Sequence, residues 1–238
     1  MNDRAWRGAE RAVLLSLWGA VAAFALLMVA AGWPQYWRYI AAETVPLAWL
    51  ESVLLALTAM AAGMRAFAAK ATGEGDWAPR AWTAVAAGFA LLSLDERFAV
   101  HERIRDRLLK PTGVRLLPWM EAGDWIIVLY ALCGLAVAWN LWKLLAPRRA
   151  ARAFFAAAVA IAAVAAGMDT IDIRSLDKGA ERLLQSVEEL LETASAASFL
   201  SAFLCAGFGR WREALENRPG AGGPSRDEPP AARPPHRR

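Results

Sequence analysis

One apolar stretch of this sequence becomes ionisable without an intervening break. Residues 89–110 read FALLSLDERFAVHERIRDRLLK, with no glycine or proline between the apolar start and the charged end. On an ideal helix Asp95, Glu102 and Asp106 share one stripe, and His101 lies about 120° from it. Carboxylates and an imidazole can bind a cation or transfer protons. One ion could take His101 together with the stripe only if the helix bends there.

Further acidic residues interrupt or end other apolar stretches. Glu51 stands nearly alone in VPLAWLESVLLALTAM, and Asp169 and Asp172 are spaced to share a helix face. An ionisable residue in such a setting normally faces the interior of a helix bundle and marks a site or a relay. On the predicted helices the acids all fall on the same, outer side of the membrane: Glu51, Asp95, Glu96, Glu102, Glu121, Asp124, Asp169, Asp172, Glu188, Glu189 and Glu192.

We interpret this convergence as a metal site at the membrane edge. The predicted metal ligands are Asp95, His101, Glu102, Asp169, Asp172 and Glu192. The predicted catalytic residues are Glu51 and Glu188, either of which could act as a general base. Carboxylates with one imidazole suit Mn²⁺, Fe²⁺, Mg²⁺ or Ca²⁺, whereas Zn²⁺ would more often bring further histidines. The alternative for each acid is solvation or pairing with an arginine, as for most surface charges.

Composition predicts the elements that must position these residues. The 238-residue chain is 57% hydrophobic and has a mean hydropathy of +0.27, too apolar for an ordinary soluble domain. Apolar runs of about twenty residues recur, the length that crosses a bilayer. The predicted fold is an all-α polytopic membrane bundle of about six helices. Its predicted spans are 12–32, 45–68, 79–101, 123–146, 152–171 and 186–209.

The domain limits and the orientation follow from charge. We predict a cytoplasmic N-terminus over 1–11, a transmembrane domain over 12–211 and a disordered cytoplasmic tail over 212–238, which is rich in proline and glycine. Lysine and arginine are concentrated on the side that holds both termini, so both termini are predicted to be cytoplasmic. The basic residues are scattered and have no stacking platform, so they favour contact with membrane lipids and not with nucleic acid. Cys133 and Cys205 lie in apolar runs and resemble no zinc ligand set.

Two short motifs resemble those of known membrane proteins. SLDERFAVHERI and VEELLETASA resemble the LDE…HE and EE..E motifs of uncharacterised bacterial multi-pass inner-membrane proteins. The resemblance covers spans 2 to 6 and implies a bacterial inner-membrane location and a site at these residues. A more distant likeness is to the ceramidase-like membrane hydrolases, which use a serine, an aspartate and three histidines around zinc. Ser93 and Asp95 could match the first two, with His101 the one histidine available.

Three functions therefore stay open at the level of sequence. The first is a metal-dependent membrane enzyme that acts on a lipid or lipid-linked substrate, by activating water against an ester, amide or phosphoester bond. The second is a proton- or ion-coupled transporter, and the third a non-catalytic scaffold or sensor. The sequence contains no P-loop, no GxSxG elbow and no EF-hand loop. Both a monomer and a homo-oligomer remain compatible with it.

Overall fold

The computed structural model describes residues 3–41, 44–116, 118, 120, 122–169 and 177–216. Across these ranges the chain is predominantly helical and has no β-strand, which confirms the predicted all-α class. A π-helical turn, Arg105–Leu109, and a 3₁₀ turn, Lys110–Thr112, follow α5. The α-helices are α1 Asp3–Gly32, α2 Trp37–Ile40, α3 Pro46–Ala71, α4 Trp77–Phe98, α5 Val100–Ile104, α6 Trp125–Leu144, α7 Arg149–Asp169 and α8 Lys178–Glu216.

Helices α3 and α8 form the centre of the bundle. They pack against each other, while α4 covers another side of α3 and α7 covers another side of α8. The α8 surface in these contacts carries small buried side chains, including Ala197, Ser201 and Ala202. Small residues let helix backbones approach closely, which is how helices associate where water does not drive burial.

Aromatic rings fill the space between the central helices. Trp82 of α4 lies edge-on to Phe203 of α8, with ring centroids 5.4 Å apart, and Phe89 contacts the same ring at 5.4 Å. Phe199 continues the chain between Phe89 at 5.2 Å and Phe155 of α7 at 5.8 Å. Edge-to-face packing is the favoured geometry of such rings. This aromatic core fixes the rotation of α4, α7 and α8 about their axes.

The long helices alternate in direction between two ends of the bundle. At one end Trp6 of α1 contacts Phe208 of α8, and Arg210 of α8 donates a hydrogen bond to Glu74, which follows α3. At the other end the carboxylate of Glu51, near the start of α3, lies beside acidic side chains of α8. We call the end with Arg210 and Glu74 the basic end, and the end with Glu51 the acidic end.

Within the described part of the chain, five helices are long and apolar enough to span a membrane: Arg4–Gly32, Pro46–Ala71, Trp125–Leu144, Arg149–Asp169 and Lys178–Arg210. The sixth predicted span, 79–101, corresponds to α4, which does not belong to this set. Arg80 precedes and Asp95 follows its uncharged stretch 81–94, whose length of about 21 Å is less than the roughly 30 Å of hydrocarbon. The sixth crossing therefore stays a prediction.

Helix boundaries differ from the predicted ones mainly at charged ends. Helix α1 begins at Asp3, inside the segment predicted as a separate N-terminus, and α8 continues to Glu216, past the predicted start of the tail at 212. Charged side chains do not end a helix, because they can project into water while the backbone hydrogen bonds continue. The rest of the predicted tail, 217–238, lies outside the described residues.

Candidate metal centre

Three glutamates from the two central helices meet at the acidic end. One carboxylate oxygen from each of Glu51, Glu189 and Glu192 can be chosen so that all three lie within 4.8 Å of one another. Glu189 and Glu192 are three residues apart and so share a face of α8, and Glu51 reaches them from α3. Glu51 is 6% exposed, and Glu189 Oε2 is buried without a hydrogen-bond partner among the described residues. We call these three side chains the carboxylate cluster.

Asp95 and His101 form a second unit beside it. Helix α4 ends at Phe98 because Ala99 adopts a left-handed conformation, with φ 48° and ψ 49°. The chain then turns back, so that the His101 backbone N–H donates to Asp95 Oδ1 at 2.7 Å. The ring Nδ1 of His101 lies 3.1 Å from Asp95 Oδ2. The break at Ala99 therefore removes the 120° separation expected on an ideal helix.

The surroundings of His101 favour its protonated form. Burial alone would lower the pKa of His101, but the hydrogen bond to Asp95 and the charges of Asp95, Asp169 and Glu102 outweigh it and raise the pKa. The ring of Tyr130, on α6, has its centroid 6.1 Å from that of His101. Asp95 therefore orients His101 with both of its carboxylate oxygens.

Arg105 supplies positive charge at the edge of the acidic end. Its guanidinium lies 2.9 Å from Glu102, 3.3 Å from Asp106 and 3.9 Å from Asp124. The Gly123 backbone, at φ +96°, approaches the turn so closely that an added Cβ would stand 2.9 Å from Lys110 N. Glycine is therefore needed where Asp124 is brought to Arg105. Glu102 is paired with an arginine and does not belong to the carboxylate cluster.

Asp169, Glu188 and Glu96 connect these units electrostatically. The charge of Asp169, at the end of α7, acts on His101, on Arg105 and on Glu188. The charge of Glu192 acts on both Glu96 and Glu188. One continuous region of the acidic end therefore contains the carboxylate cluster, the Asp95–His101 pair and the arginine.

The structure divides the predicted site residues between these units. Glu51 and Glu192 lie in the carboxylate cluster, Asp95 and His101 form the pair, and Glu102 pairs with Arg105. Asp169 lies close enough to His101, Arg105 and Glu188 for its charge to act on all three. Asp172 and Glu121 lie outside the described residues. Ser93 donates its hydroxyl to the Ser52 carbonyl at 2.7 Å and so links α4 to α3.

Sequence reasoning had not selected three groups of this region. Glu189 lies within 4.8 Å of Glu51, whereas the sequence pattern favours Glu188 as the functional residue. The sequence pattern assigns no role to Arg105 or Tyr130. Glu189 could have been found from its three-residue spacing to Glu192. That signal competes with the equally valid four-residue spacing of Glu188 to Glu192, and only the rotation of α8 decides between them.

Carboxylates gathered in this way need a cation. Like charges at short distance inside a low-dielectric interior cannot all stay ionised, so the cluster takes up either protons or a metal ion. Oxygen ligands from carboxylates are those that hard divalent ions prefer. Among the described residues this is the one group of three acidic, histidine or cysteine side chains with ligand atoms so close together.

Comparison with known proteins gives a family and no activity. A family model described as "Domain of unknown function (DUF8692)" matches residues 43–206. No curated protein and no solved structure matches the chain. The match covers more than half of the chain, including every described residue of the acidic end discussed above, so the chain belongs to this family.

Proposed function

We propose that this member of the DUF8692 family is a membrane protein whose carboxylate cluster binds a divalent metal ion, as part of an enzyme site for a lipid or lipid-linked substrate. The single observation that carries the proposal is the approach of three carboxylates within 4.8 Å, one of them on a side chain that is 6% exposed. Ionisable groups so placed are costly to keep and are usually functional.

The chemistry of the ligands limits which metal ions the cluster would bind. Glu51, Glu189 and Glu192 would hold it, and a set made only of oxygen ligands favours Mg²⁺, Mn²⁺, Ca²⁺ or Fe²⁺ over Zn²⁺. A bound ion of this kind supplies a Lewis acid and lowers the pKa of bound water. Glu51, first expected to be a general base, is assigned to ion binding because it lies in the cluster itself.

Proton transfer falls to groups beside the cluster. His101 is held by Asp95 through Nδ1, which leaves Nε2 to give or receive a proton, the usual division of roles in carboxylate–histidine pairs. Glu188 lies close enough for Glu192 and Asp169 to act on it electrostatically and is a second proton acceptor. Asp169 and Arg105 would set the charge balance of the site.

The position of the site favours a lipid substrate. The carboxylate cluster lies near the ends of apolar helices, where ester and phosphate groups of lipids meet the hydrocarbon. In the proposed arrangement the chain lies in a bacterial inner membrane with both termini cytoplasmic, so this end faces outward. The apolar surface of α6, which includes exposed Leu132, Leu135 and Trp139, would contact lipid or a second copy of the chain.

Proton- or ion-coupled transport is a second candidate, favoured by one specific observation. The observation is the grouping of titratable side chains: the charges of Glu192 and His101 act on Glu96, and His101 Nδ1 lies 3.1 Å from Asp95 Oδ2. Ionisable groups of this kind within a membrane domain often mark proton pathways. Proton flux into proteoliposomes that is lost in Glu51→Gln would support transport over an enzyme. The absence of flux together with metal-dependent hydrolysis of a lipid ester would support the enzyme.

The deciding experiment is metal analysis of the detergent-purified protein. We expect one divalent ion per chain by mass spectrometry after incubation with metal, and loss of that ion in the double variant Glu51→Gln/Glu192→Gln. Glu181→Gln, on the same helix but outside the cluster, is the control and should keep the ion. If the wild type binds no ion under these conditions, the metal proposal fails, and the scaffold or relay alternatives replace it.

A further inference from the structure

A cavity at the basic end is lined by arginines. Its volume is about 160 Å³, and its polar lining consists of Arg65, Glu74, Arg148 and Arg210, with Gly209 beside them. The remaining wall is apolar and comes mostly from the end of α6 and the loop that follows it. We call this space the basic cavity. It is separate from the carboxylate cluster, from which it lies 14 residues along α3 and 18 along α8, or about 21 to 27 Å.

The lining of the cavity carries more positive than negative side chains, three arginines against Glu74. Arg65 Nη1 lies 3.6 Å from Glu74 Oε1, and Arg210 Nε donates to the same oxygen at 2.9 Å. Arg148 Nη1 lies 3.9 Å from Glu10 of α1. Because three guanidinium groups and one carboxylate line the cavity, its lining carries an excess of positive charge.

Glu74 is held in its ionised form by this surplus. Burial alone would raise the pKa of Glu74, but the hydrogen bond from Arg210 and the charges of Arg65 and Arg210 outweigh it and lower the pKa. Glu74 therefore serves as a fixed negative charge that orients two guanidinium groups. Orientation before binding reduces the entropy that ligand binding must overcome.

Burial distinguishes this arrangement from ordinary positive charge at a membrane surface. Arg65 is 6% exposed, and its guanidinium carbon lies 5.3 Å from the centre of the Trp82 ring. Basic residues that only set orientation can extend to water, whereas a buried arginine is costly and usually functional. The planar guanidinium presents paired N–H groups that match phosphate oxygens.

Gly209 provides the space for one of these arginines. A Cβ built at Gly209 would collide with the guanidinium of Arg148. The colliding group is the far end of a flexible side chain, so it can move without disturbing the fold. Glycine at this position therefore lets Arg148 lie against α8 at the wall of the cavity.

We propose that the basic cavity binds a phosphate group, supplied by an anionic phospholipid or by a soluble phosphate compound. The cavity exceeds the roughly 30 Å³ that one water molecule occupies, and it is smaller than the roughly 300 to 1,000 Å³ of pockets that enclose drug-sized ligands. A phosphate group, with the rest of its molecule outside, fits between these limits. The proposal is independent of the function proposed for the acidic end.

The test measures binding of two probes to the full-length protein in detergent. Inorganic phosphate is titrated in a thermal-unfolding assay, and retention of phosphatidic acid is measured by native mass spectrometry after exchange from mixed micelles with phosphatidylcholine. The variants are Arg148→Gln and Gly209→Ala, which displaces Arg148 while keeping all charges. Arg80→Gln, an exposed arginine on the same side of the bundle, is the control.

We expect at least one probe to bind wild type and Arg80→Gln alike, and both cavity variants to bind it at least tenfold more weakly, which corresponds to about 1.4 kcal/mol. Phosphate binding would identify a soluble ligand as sufficient, and binding of phosphatidic acid alone would identify a lipid. Binding of neither probe overturns the proposal. So does equal weakening by Arg80→Gln, or unchanged binding in Gly209→Ala and Arg148→Gln when both variants unfold as cooperatively as the wild type.

Discussion

Neutralising Glu189 should separate two properties of the carboxylate cluster, its electrostatic cost to folding and its capacity to bind a metal ion. Two unit charges 4.8 Å apart repel each other by about 3.5 kcal/mol at an effective dielectric constant of about 20. Three such pairs amount to about 10 kcal/mol, as large as the whole folding free energy of a typical domain. The three groups therefore cannot all be ionised without a cation, and Glu189→Gln would remove two of the three repulsions.

The variant and the wild type should consequently differ in stability without metal and in how much stability they gain from it. In a chelator at pH 8 we expect Glu189→Gln to unfold at a higher temperature than the wild type, because an amide imposes neither the repulsion nor the proton uptake that a third carboxylate imposes on the cluster. A metal ion at one hundred times its Kd should stabilise the wild type by about 2.7 kcal/mol, which corresponds to roughly 5 to 11 °C for a chain of this size. The variant should gain much less, because it lacks one ligand.

The assay is thermal unfolding in detergent with Mg²⁺ or Mn²⁺ and with a chelator. Glu181→Gln removes the same charge from the same helix outside the cluster and should behave as the wild type. A Glu189→Gln protein that is less stable in chelator, and that gains as much from metal as the wild type, would refute the reasoning. The cluster would then be held by protons or by contacts within the protein.

Three further predictions concern other parts of the structure. Asp95→Asn should lower the pKa of His101, measured by NMR titration, because the hydrogen bond and the charge of Asp95 raise that pKa. In the wild type the stability contributed by protonated His101 is complete below the pKa of His101 in the unfolded chain. It is lost as the pH rises through the pKa of His101 in the folded protein. Glu74→Gln should remove stability that is present above the unfolded pKa of Glu74 and lost as pH falls through its lowered folded pKa, measured as unfolding temperature between pH 7 and pH 3. Trp82→Ala should reduce the free energy of unfolding by about 3 to 5 kcal/mol, because the side chain is 0% exposed and packs on Phe203.

Each of these has a matched control. Glu102→Gln should lower the pKa of His101 less than Asp95→Asn does, because its charge contributes less. Asp76→Asn, at an exposed acid near Glu74, should change the free energy of unfolding at pH 7 by about 0.5 kcal/mol or less. Trp77→Ala, at a side chain 55% exposed, should change stability by about 0.5 kcal/mol or less. Equal effects of a variant and its control would contradict the corresponding structural assignment.

Much of the acidic end could be predicted from single helices. The apolar length of a segment determines where along its helix a charged residue falls, so Glu51, Asp95, Asp169 and Glu192 could be assigned to one end of the bundle before any packing was known. The rotation of each helix could not be obtained in this way. Low amphipathicity of Ala-rich helices leaves several faces equally apolar, and the contacts that choose one face come from distant segments.

The break in the helix at Ala99 could also not be predicted from the sequence. Nothing in FAVHE indicates a break at Ala99, since alanine is a good helix former and rarely adopts a left-handed conformation. The hydrogen bonds of Asp95 to the backbone and the ring of His101 stabilise the turn, and these form only once the chain has reversed.

The sequence by itself therefore determined the helical class, the apolar lengths and the end of the bundle at which the acids collect, because these depend on composition and on position along each helix. Tertiary structure alone decided that Glu189, and not Glu188, faces Glu51, that His101 turns back to Asp95, and that Arg65, Arg148 and Arg210 surround one cavity. The first and the third depend on the packing of helices far apart in the chain, and the second depends on the left-handed break at Ala99 within one segment.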